Sequence, residues 1–522
     1  MTDDIATLRR VRRDCRTMAV AGLSADWHRP SYFAARYLQQ RRYRIISVNP
    51  RYAELLGERC HPSLADIPHR VDRVDVFRRT EAVLPIAEQA ITIGAHCLWQ
   101  QTGVTNLAAA EQVRSAARVR SAGLDSVLDR VAALEGGRAA FAFACACASA
   151  SASGMAAEAT ALLSLPEAGD HMVAAGTQYC GSVSLPAVNL KKLGTSTTFV
   201  DAASPDAFAA AMRPNTRAVF AESLGNPSLH VLDIEAVADV AHAHGVPLIV
   251  DNTVASPFLC TPLRFGADIV VHSATKYLAG HGTTLGGVIV EAGKSNPGFA
   301  WDSGKFPGFA WDNGKFPGMT EPSPGYHGVK FLETFGDLAF TMRARMETLR
   351  VYGAALAPMS AWQILQGVET LPLRMERHCT NARKVALFLR AHPQVAWVNY
   401  PGLADHEQRA IVAKQFRLVD GAPGASGLLA FGVKPAVAGA SAGAADALSA
   451  AIRFIDAAQF MSHVANIGDT RTLIIHPAST THRQLTDAQR IAAGAGPDVV
   501  RLSIGIEDAA DIIGDLDQAL AH

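Results

Sequence analysis

Three polar runs in this 522-residue chain each follow a short apolar stretch. Glu222-Ser223-Leu224-Gly225-Asn226-Pro227 follows Val219–Ala221, Asp251-Asn252-Thr253 follows Leu248–Val250, and Ser273-Ala274-Thr275-Lys276 follows Ile269–His272. In open α/β sheets, ligands bind outside the carboxyl ends of the strands. A carboxylate, an amide, hydroxyls and one lysine would therefore converge. These are the parts a pyridoxal 5′-phosphate site needs. A lysine forms a Schiff base, an aspartate pairs with the pyridinium nitrogen so that the ring stores electrons, and hydroxyls with a Gly-rich helix start hold the phosphate. Singly, the lysine reads as surface charge and the aspartate as a cap. Their order, spaced as successive βα units, favours a site.

The elements that must position these residues can be read from periodicity. Strands are expected at 17–22, 44–48, 71–77 and 96–100, and helices at 32–40, 81–93 and 106–122, which makes a small parallel doubly wound sheet. From about residue 131 the alternation repeats on a larger scale, and from about 359 long amphipathic helices lead into mixed α+β patterning. The expected domains are 1–130, 131–365 and 366–522, all of an α/β protein. Residues 299–308 (FAWDSGKFPG) and 309–318 (FAWDNGKFPG) form a tandem repeat too short for a solenoid unit, and read as a duplicated surface loop. Residues 139–153 alternate Ala with Phe, Cys and Ser. They read as an expansion before a functional loop, since such a strand would bury little apolar surface. The basic run at 9–16 reads as the solvated face of a helix.

Composition excludes several classes. Basic and acidic residues balance at 48 each, which disfavours nucleic acid as a partner. Eight cysteines without a CxxC pair, and no HExxH, disfavour a disulfide scaffold and a zinc site, and no metal is expected. No signal-peptide pattern or membrane span is legible, so small molecules are the expected partners and the cytoplasm the expected location.

From ASGMAA (152–157), ESLGNP (222–227), VDNTVASP (250–257), HSATKYLAGHG (272–282), GKFPGMTEPSPGYHG (314–328), HPASTTHRQL (476–485) and VRLSIGIED (500–508), the chain over about 131–522 resembles the cystathionine γ-synthase group of pyridoxal-phosphate enzymes. Within that group it looks most like O-acetylhomoserine sulfhydrylase. The resemblance implies a fold-type I transferase with a large α/β domain and a smaller C-terminal α+β domain. It implies Lys276 as Schiff-base lysine and general acid/base, Asp251 beside the pyridinium nitrogen, Tyr179 stacked on the ring and Asn226 on its 3′-oxygen. Gly154, Met155, Ser273 and Thr275 would hold the phosphate, with Glu222 also in the cofactor site. Arg501 would clamp the substrate carboxylate, and Thr472 stands where the family has a serine near the substrate. The implied reaction is a γ-replacement. Acetate leaves O-acetylhomoserine, sulfide or a thiol adds at the γ-carbon, and homocysteine is released. Shared sites in this family imply a homodimer or homotetramer.

A second resemblance covers about residues 16–130. The segments AVAGLSADWHRPSYFAARYL, YRIISVNPRYAELLGERCHPSLADIP, VDRVDVFRRTEAV and GLDSVLDR resemble the bacterial CoA-binding domain family. This implies a Rossmann-like domain taking coenzyme A or an acyl-CoA, with Gly22, Ser24, Arg29, Ser31, Asn49, Pro50, Phe77 and Arg78 lining the cleft. Two departures are Thr80, where the family has proline, and Trp99-Gln100-Gln101-Thr102-Gly103, where it has WLQLG.

The first family normally carries a Tyr-x-Arg…Asn-Pro-Thr arm before its LEGG motif, here Leu134–Gly137. In this chain Ala116 replaces the tyrosine, Ser121-Ala122-Gly123 replaces Asn-Pro-Thr, and Arg118 reads as coincidence, with the segment assigned to the CoA-binding module. A lost charge-assisted phosphate contact costs about 1.5–3 kcal/mol, one or two orders of magnitude in cofactor affinity. The alternative function is therefore a non-catalytic fusion, in which the CoA-binding module works on a degraded enzyme scaffold. A third reading has CoA binding regulate the second module.

Overall fold

The computed structural model describes residues 15–26, 29–78, 82–95, 97–100, 120–121, 131, 134–135, 139–142, 153–292, 309–435 and 444–522. They belong to two compact units, 1–126 and 127–522.

The first unit is built on β1 (Thr17–Ala21), α1 (Pro30–Gln40), β2 (Arg44–Val48), β3 (Glu54–Leu55), β4 (Glu58–His61), β5 (Arg73–Val76), α2 (Val83–Thr92), β6 (Cys97–Gln100) and β7 (Arg120–Ser121). The sheet order is β3-β4-β2-β1-β5-β6-β7. All pairings are parallel except β3 with β4. Period-two alternation explains the double winding. Met18 and Val20 face one apolar core with Leu23, Ala35 and Ile45, while Ala19 and Ala21 face another with Ile46, Val48, Val74 and Val76. The β3–β4 pair went unread because its short charged strands carry no apolar run. Of the helix expected at 106–122, the described residues Arg120 and Ser121 are instead a strand beside β6, and the rest lies outside the described residues. So do Arg118 and all of the basic run but Cys15 and Arg16.

The second unit holds a seven-stranded sheet in the order β10-β9-β11-β12-β13-β14-β8. Its strands are β8 (Ala139–Ala142), β9 (His171–Ala175), β10 (Ser196–Val200), β11 (Thr216–Glu222), β12 (Leu248–Asp251), β13 (Ile269–Ser273) and β14 (Gly287–Glu291). The pairings from β10 to β13 are parallel, whereas β14 runs antiparallel to both β13 and β8. Strands buried on both faces need near-continuous apolar sequence, as in His171–Ala175, where every residue is buried. Helix α3 (Gly154–Leu163) lies across β13 and β14, and α4 (Ile234–Ala243) joins β11 to β12. Part of the alternating Ala segment is thus the edge strand β8, and its residues 143–152 lie outside the described residues.

The C-terminal part opens with helix Pro358–Glu369, which spans the boundary expected at 365/366, and α5 (Leu371–Ala391). It continues through β15 (Val395–Asn399), the hairpin β16 (Leu418–Val419) and β17 (Ala422–Pro423), β18 (Leu428–Val433), α6 (Ala444–Ala457), β19 (Ser462–His463), β20 (Leu473–Ile475), β21 (Val499–Ser503) and α7 (Ala509–Leu520). A second sheet, β15-β18-β21-β20-β19, packs its own core with residues of α5, α6 and α7.

The second FAWD copy corrects the surface-loop reading. Phe309, Trp311 and Phe316 are buried in the main core and meet edge to face at centroid distances of 4.5 to 5.2 Å. Trp311 also stacks on Phe340. The polar residues between them tie the segment down: Asn313 Nδ2 donates to the Gly245 carbonyl and Lys315 Nζ to that of His244. Aromatic burial outweighed the Gly/Pro-rich composition that suggested a loop. The first copy, 299–308, lies outside the described residues. Trp311→Ala is expected to lower unfolding stability by about 3–5 kcal/mol. Denaturant unfolding of the full chain measures it, and a loss under 1 kcal/mol would restore the surface-loop reading.

Candidate active site

The carboxyl ends of β11, β12 and β13 deliver the three polar runs to one cleft. Its walls include Ser153, Gly154, Met155, Glu158, Tyr179, Glu222, Asn226, Asp251, Thr253, Ser273, Thr275, Lys276, Asn466 and Arg501. Every cofactor-site residue expected from sequence lies in this set. Thr472 does not. It is buried, and its hydroxyl donates to Glu507 Oε2 and accepts the Gly505 N–H.

Each end is locked by local hydrogen bonds. Glu222 Oε1 accepts the Tyr179 N–H at 2.7 Å and Oε2 the Asn226 N–H at 3.0 Å. Asp251 Oδ1 accepts the Thr253 N–H at 2.7 Å, and Thr253 Oγ1 accepts the Ser273 N–H at 2.7 Å. Thr275 is pinned to Gly286 in both directions. Tyr179, at 39% exposure, stands at the rim. Ser153 caps α3 by accepting the Ala156 N–H. The N–H groups of the first helical turn at Gly154 and Met155 have no intrahelical acceptor, the ordinary condition for an anion seat. A Cβ at Gly154 would lie 2.4 Å from Ser273 Cβ, so only glycine permits this approach of helix to strand.

Lys276 Nζ reaches across the cleft to Asn466 Oδ1 at 2.5 Å. Burial first, and then the Arg501 guanidinium, pull its ammonium down to about 8. Lowering a lysine in this way favours the neutral, nucleophilic amine. In cofactor-free protein, the rate at which Lys276 captures an added aldehyde cofactor is expected to rise with pH and level off above about 8. A midpoint near that of an ordinary lysine, about 10.4, would overturn the assignment.

Arg501 extends from β21. One terminal nitrogen donates to Asn226 Oδ1 at 2.9 Å and the other to the Asn466 carbonyl at 3.0 Å, while Nε is buried with no acceptor. A buried guanidinium N–H without an acceptor is a place for a carboxylate oxygen. Sequence reading missed Asn466 and Glu158, whereas Thr253 belongs to the second of the three polar runs. Asn466 lies 190 residues from Lys276, in a loop with no strand-end signal. Glu158 had a signal, as the lone carboxylate of the otherwise apolar helix GMAAEATALL.

In the first unit, β1, β2 and β5 end side by side, and strand order reverses about β1, where α/β sheets open a ligand crevice. Gly22 has φ +90°, and a Cβ there would lie 2.3 Å from the Phe77 carbonyl oxygen and 3.1 Å from Arg78 Cδ. Ser31, in the first turn of α1, accepts the Ser24 N–H at 3.1 Å. Asn49 Nδ2 donates to the Leu23 carbonyl at 2.8 Å. Arg29, the residue before α1, pairs with Asp26 at 3.8 Å, and Pro50 is exposed beside Asn49. The eight residues expected at the nucleotide cleft thus sit at or next to these strand ends.

The second unit's cleft fits pyridoxal phosphate on three counts: the unpartnered Arg501 Nε, the glycine-only cradle at Gly154, and the pairing of a buried carboxyl set with a lowered lysine.

Comparison with known proteins agrees. Residues 99–521 match the family model of Cys/Met metabolism PLP-dependent enzymes, and residues 16–135 match that of a CoA binding domain. The enzyme match begins at residue 99, so the segment assigned from sequence to the CoA module alone is claimed by both. The chain is 47% identical over 406 residues to O-acetyl-L-homoserine sulfhydrylase of Leptospira meyeri, covering 76% of this chain and 84% of that protein. It is 44% identical to O-acetyl-L-homoserine sulfhydrylase 1 of Thermus thermophilus, covering 77% and 87%. It is 43% identical to homocysteine synthase of Schizosaccharomyces pombe, covering 75% and 83%. A Campylobacter jejuni structure described as an O-acetylhomoserine (thiol)-lyase, which contains N′-pyridoxyl-lysine-5′-monophosphate, superposes with a TM-score of 0.67 at 38% identity, covering 76% of this chain and 86% of that one. The chain therefore belongs to the Cys/Met metabolism family of PLP-dependent enzymes, and carries a CoA-binding domain ahead of its catalytic fold.

Proposed function

We propose that the second unit exchanges the acetoxy group of O-acetylhomoserine for sulfide, giving homocysteine and acetate. The observation that carries this reading is the convergence of Lys276, Asp251 and Arg501 on one cleft. When bound, pyridoxal phosphate supplies the electron sink that makes the substrate Cα proton acidic. Lys276 is the amine placed to hold the cofactor covalently and, once released, to move protons at Cα. Asp251 is the carboxylate for the ring nitrogen, and Glu222 fixes the backbone of Tyr179 and Asn226 beside it. The first turn of α3 with Ser273 and Thr275 takes the phosphate. Arg501 orients the substrate through its carboxylate, and Tyr179 covers the open side. In the net reaction the γ C–O bond breaks, a γ C–S bond forms, and acetate carries away the electron pair of the broken bond.

The family match and the relatives support catalysis over the scaffold-only alternative. We assign residues 1–130 as a CoA-binding module, 131–365 as the large catalytic part and 366–522 as the small one. The first module would take coenzyme A or an acyl-CoA at the ends of β1, β2 and β5. The catalytic chain works as a homodimer or homotetramer in the cytoplasm. No helix among the described residues is long and apolar enough to cross a membrane. The test is homocysteine formation by the purified full chain from O-acetylhomoserine and sulfide. Turnover of neither the acetyl nor the succinyl ester, in protein that binds the cofactor, would reject the proposal.

A further inference from the structure

Three carboxyls, Glu158, Glu222 and Asp251, lie buried in the cleft, and their donors are unequally shared. Glu222 has two backbone N–H donors. Asp251 has the Thr253 N–H on Oδ1 and is further served by the Thr253 side chain. Glu158, on the fifth residue of α3, has only the Ser182 hydroxyl, which donates to Oε1 at 3.0 Å. Its Oε2 is buried with no donor, and the side chain faces Asp251. Two carboxylates that meet with no donor between them repel strongly in a low-dielectric site, and such a pair is stable only when one proton lies between them. That proton belongs on the carboxyl with fewest donors.

We propose that Glu158 is held as a neutral carboxylic acid that donates from Oε2 to Asp251, which keeps Asp251 ionised and aimed as the partner of the cofactor ring nitrogen. Glu158 is then a positioning residue, resting on the cofactor assignment above. The arrangement closes as a chain: the Ser182 hydroxyl donates to Glu158 Oε1, Glu158 Oε2–H donates to Asp251, and Asp251 keeps lone pairs for the ring. Burial and the neighbouring Asp251 and Glu222 charges both push the Glu158 carboxyl well above the ordinary range, in the direction this needs. The other charged or titratable groups around the cleft are Tyr179 on the segment before Ser182, His272 on β13, Lys276 after β13 and Arg501 on β21. Among the described hydrogen bonds, Glu158 has the Ser182 hydroxyl as its one side-chain donor, and the charges beside it are the Asp251 and Glu222 carboxyls.

The test uses the full chain with its cofactor, compared with Glu158→Gln and Glu158→Leu. Infrared difference spectra of wild type against Glu158→Gln at neutral pH should show a carboxylic-acid C=O band that the variant loses. If no such band is lost, Glu158 is ionised or the proton sits on Asp251, and the proposal falls. Glutamine keeps a donor toward Asp251, so Glu158→Gln should hold the cofactor within about threefold of wild-type affinity with an unshifted visible band. Leucine removes the donor, and Glu158→Leu should bind at least about tenfold more weakly with a shifted band. Equal behaviour of the two variants would overturn the proposal. A wild-type chain with no visible cofactor band would defeat the cofactor assignment instead, whereas the infrared result stands on the carboxyl pair alone.

Discussion

Lys276→Ala is expected to abolish the visible absorption of bound cofactor and to lower turnover by about 10⁴-fold or more. Two contributions are lost together. General acid–base catalysis by a positioned side chain is worth about 10²–10⁴-fold, and covalent capture holds the reacting ring in register. The geometry makes this lysine hard to replace. Its Nζ donates to Asn466 Oδ1, and the charges beside it are one guanidinium and a set of carboxyls. Absorption spectra and steady-state kinetics of the purified variant decide the matter. A surviving band, or turnover within about tenfold of wild type, would remove Lys276 from the chemistry.

Arg501→Lys is the second large effect. Arginine offers a planar fork, two arms of which already hold Asn226 and Asn466, with Nε buried and without an acceptor. Lysine is a point donor that cannot both hold those partners and grip a carboxylate. Charged hydrogen bonds contribute about 1.5–3 kcal/mol each, so a loss near 2.7 kcal/mol, or about 100-fold, is expected. It should appear in KM for the amino-acid substrate, because on the proposed role the carboxylate would be gripped equally before and during reaction. The KM for sulfide and the cofactor band should move by less than about twofold. A fall in kcat with KM unchanged would instead mean that Arg501 acts at the reacting carbon.

The order of the three strand-end runs made much of the cleft's lining legible, because β11, β12 and β13 announce themselves as apolar runs and their polar ends are contiguous in sequence. Residues brought in from elsewhere were harder. Asn466 and Arg501 reach Lys276 and Asn226 across 190 and 275 positions, and nothing local in their loop or strand says so. The Arg501 assignment came from resemblance, not from pattern. Thr472 lies outside the cleft lining because a hydroxyl in that stretch of chain can turn either way, and here it turns to Glu507. Glu158 was passed over because one acidic residue in an apolar helix resembles an exception until its neighbours are known. The FAWD segment misled in the opposite sense, since Gly, Pro, Asp and Lys outnumber its aromatics while the aromatics decide where it packs.

The two groups that would handle the substrate sit on supports of opposite stiffness. Arg501 lies mid-strand, in register with Ala430 on one side and Ile475 on the other. Lys276 lies in the turn that follows β13, tied through its backbone to Ser273 and Gly280 but not laced into a sheet. Side chains anchored in sheets hold position within fractions of an ångström, whereas those on turns are free to swing. The fold thus separates a stationary vice from a travelling tool. On the proposed roles, the carboxylate end of an incoming amino acid would be held from a sheet, while the amine that moves protons would sit on a turn.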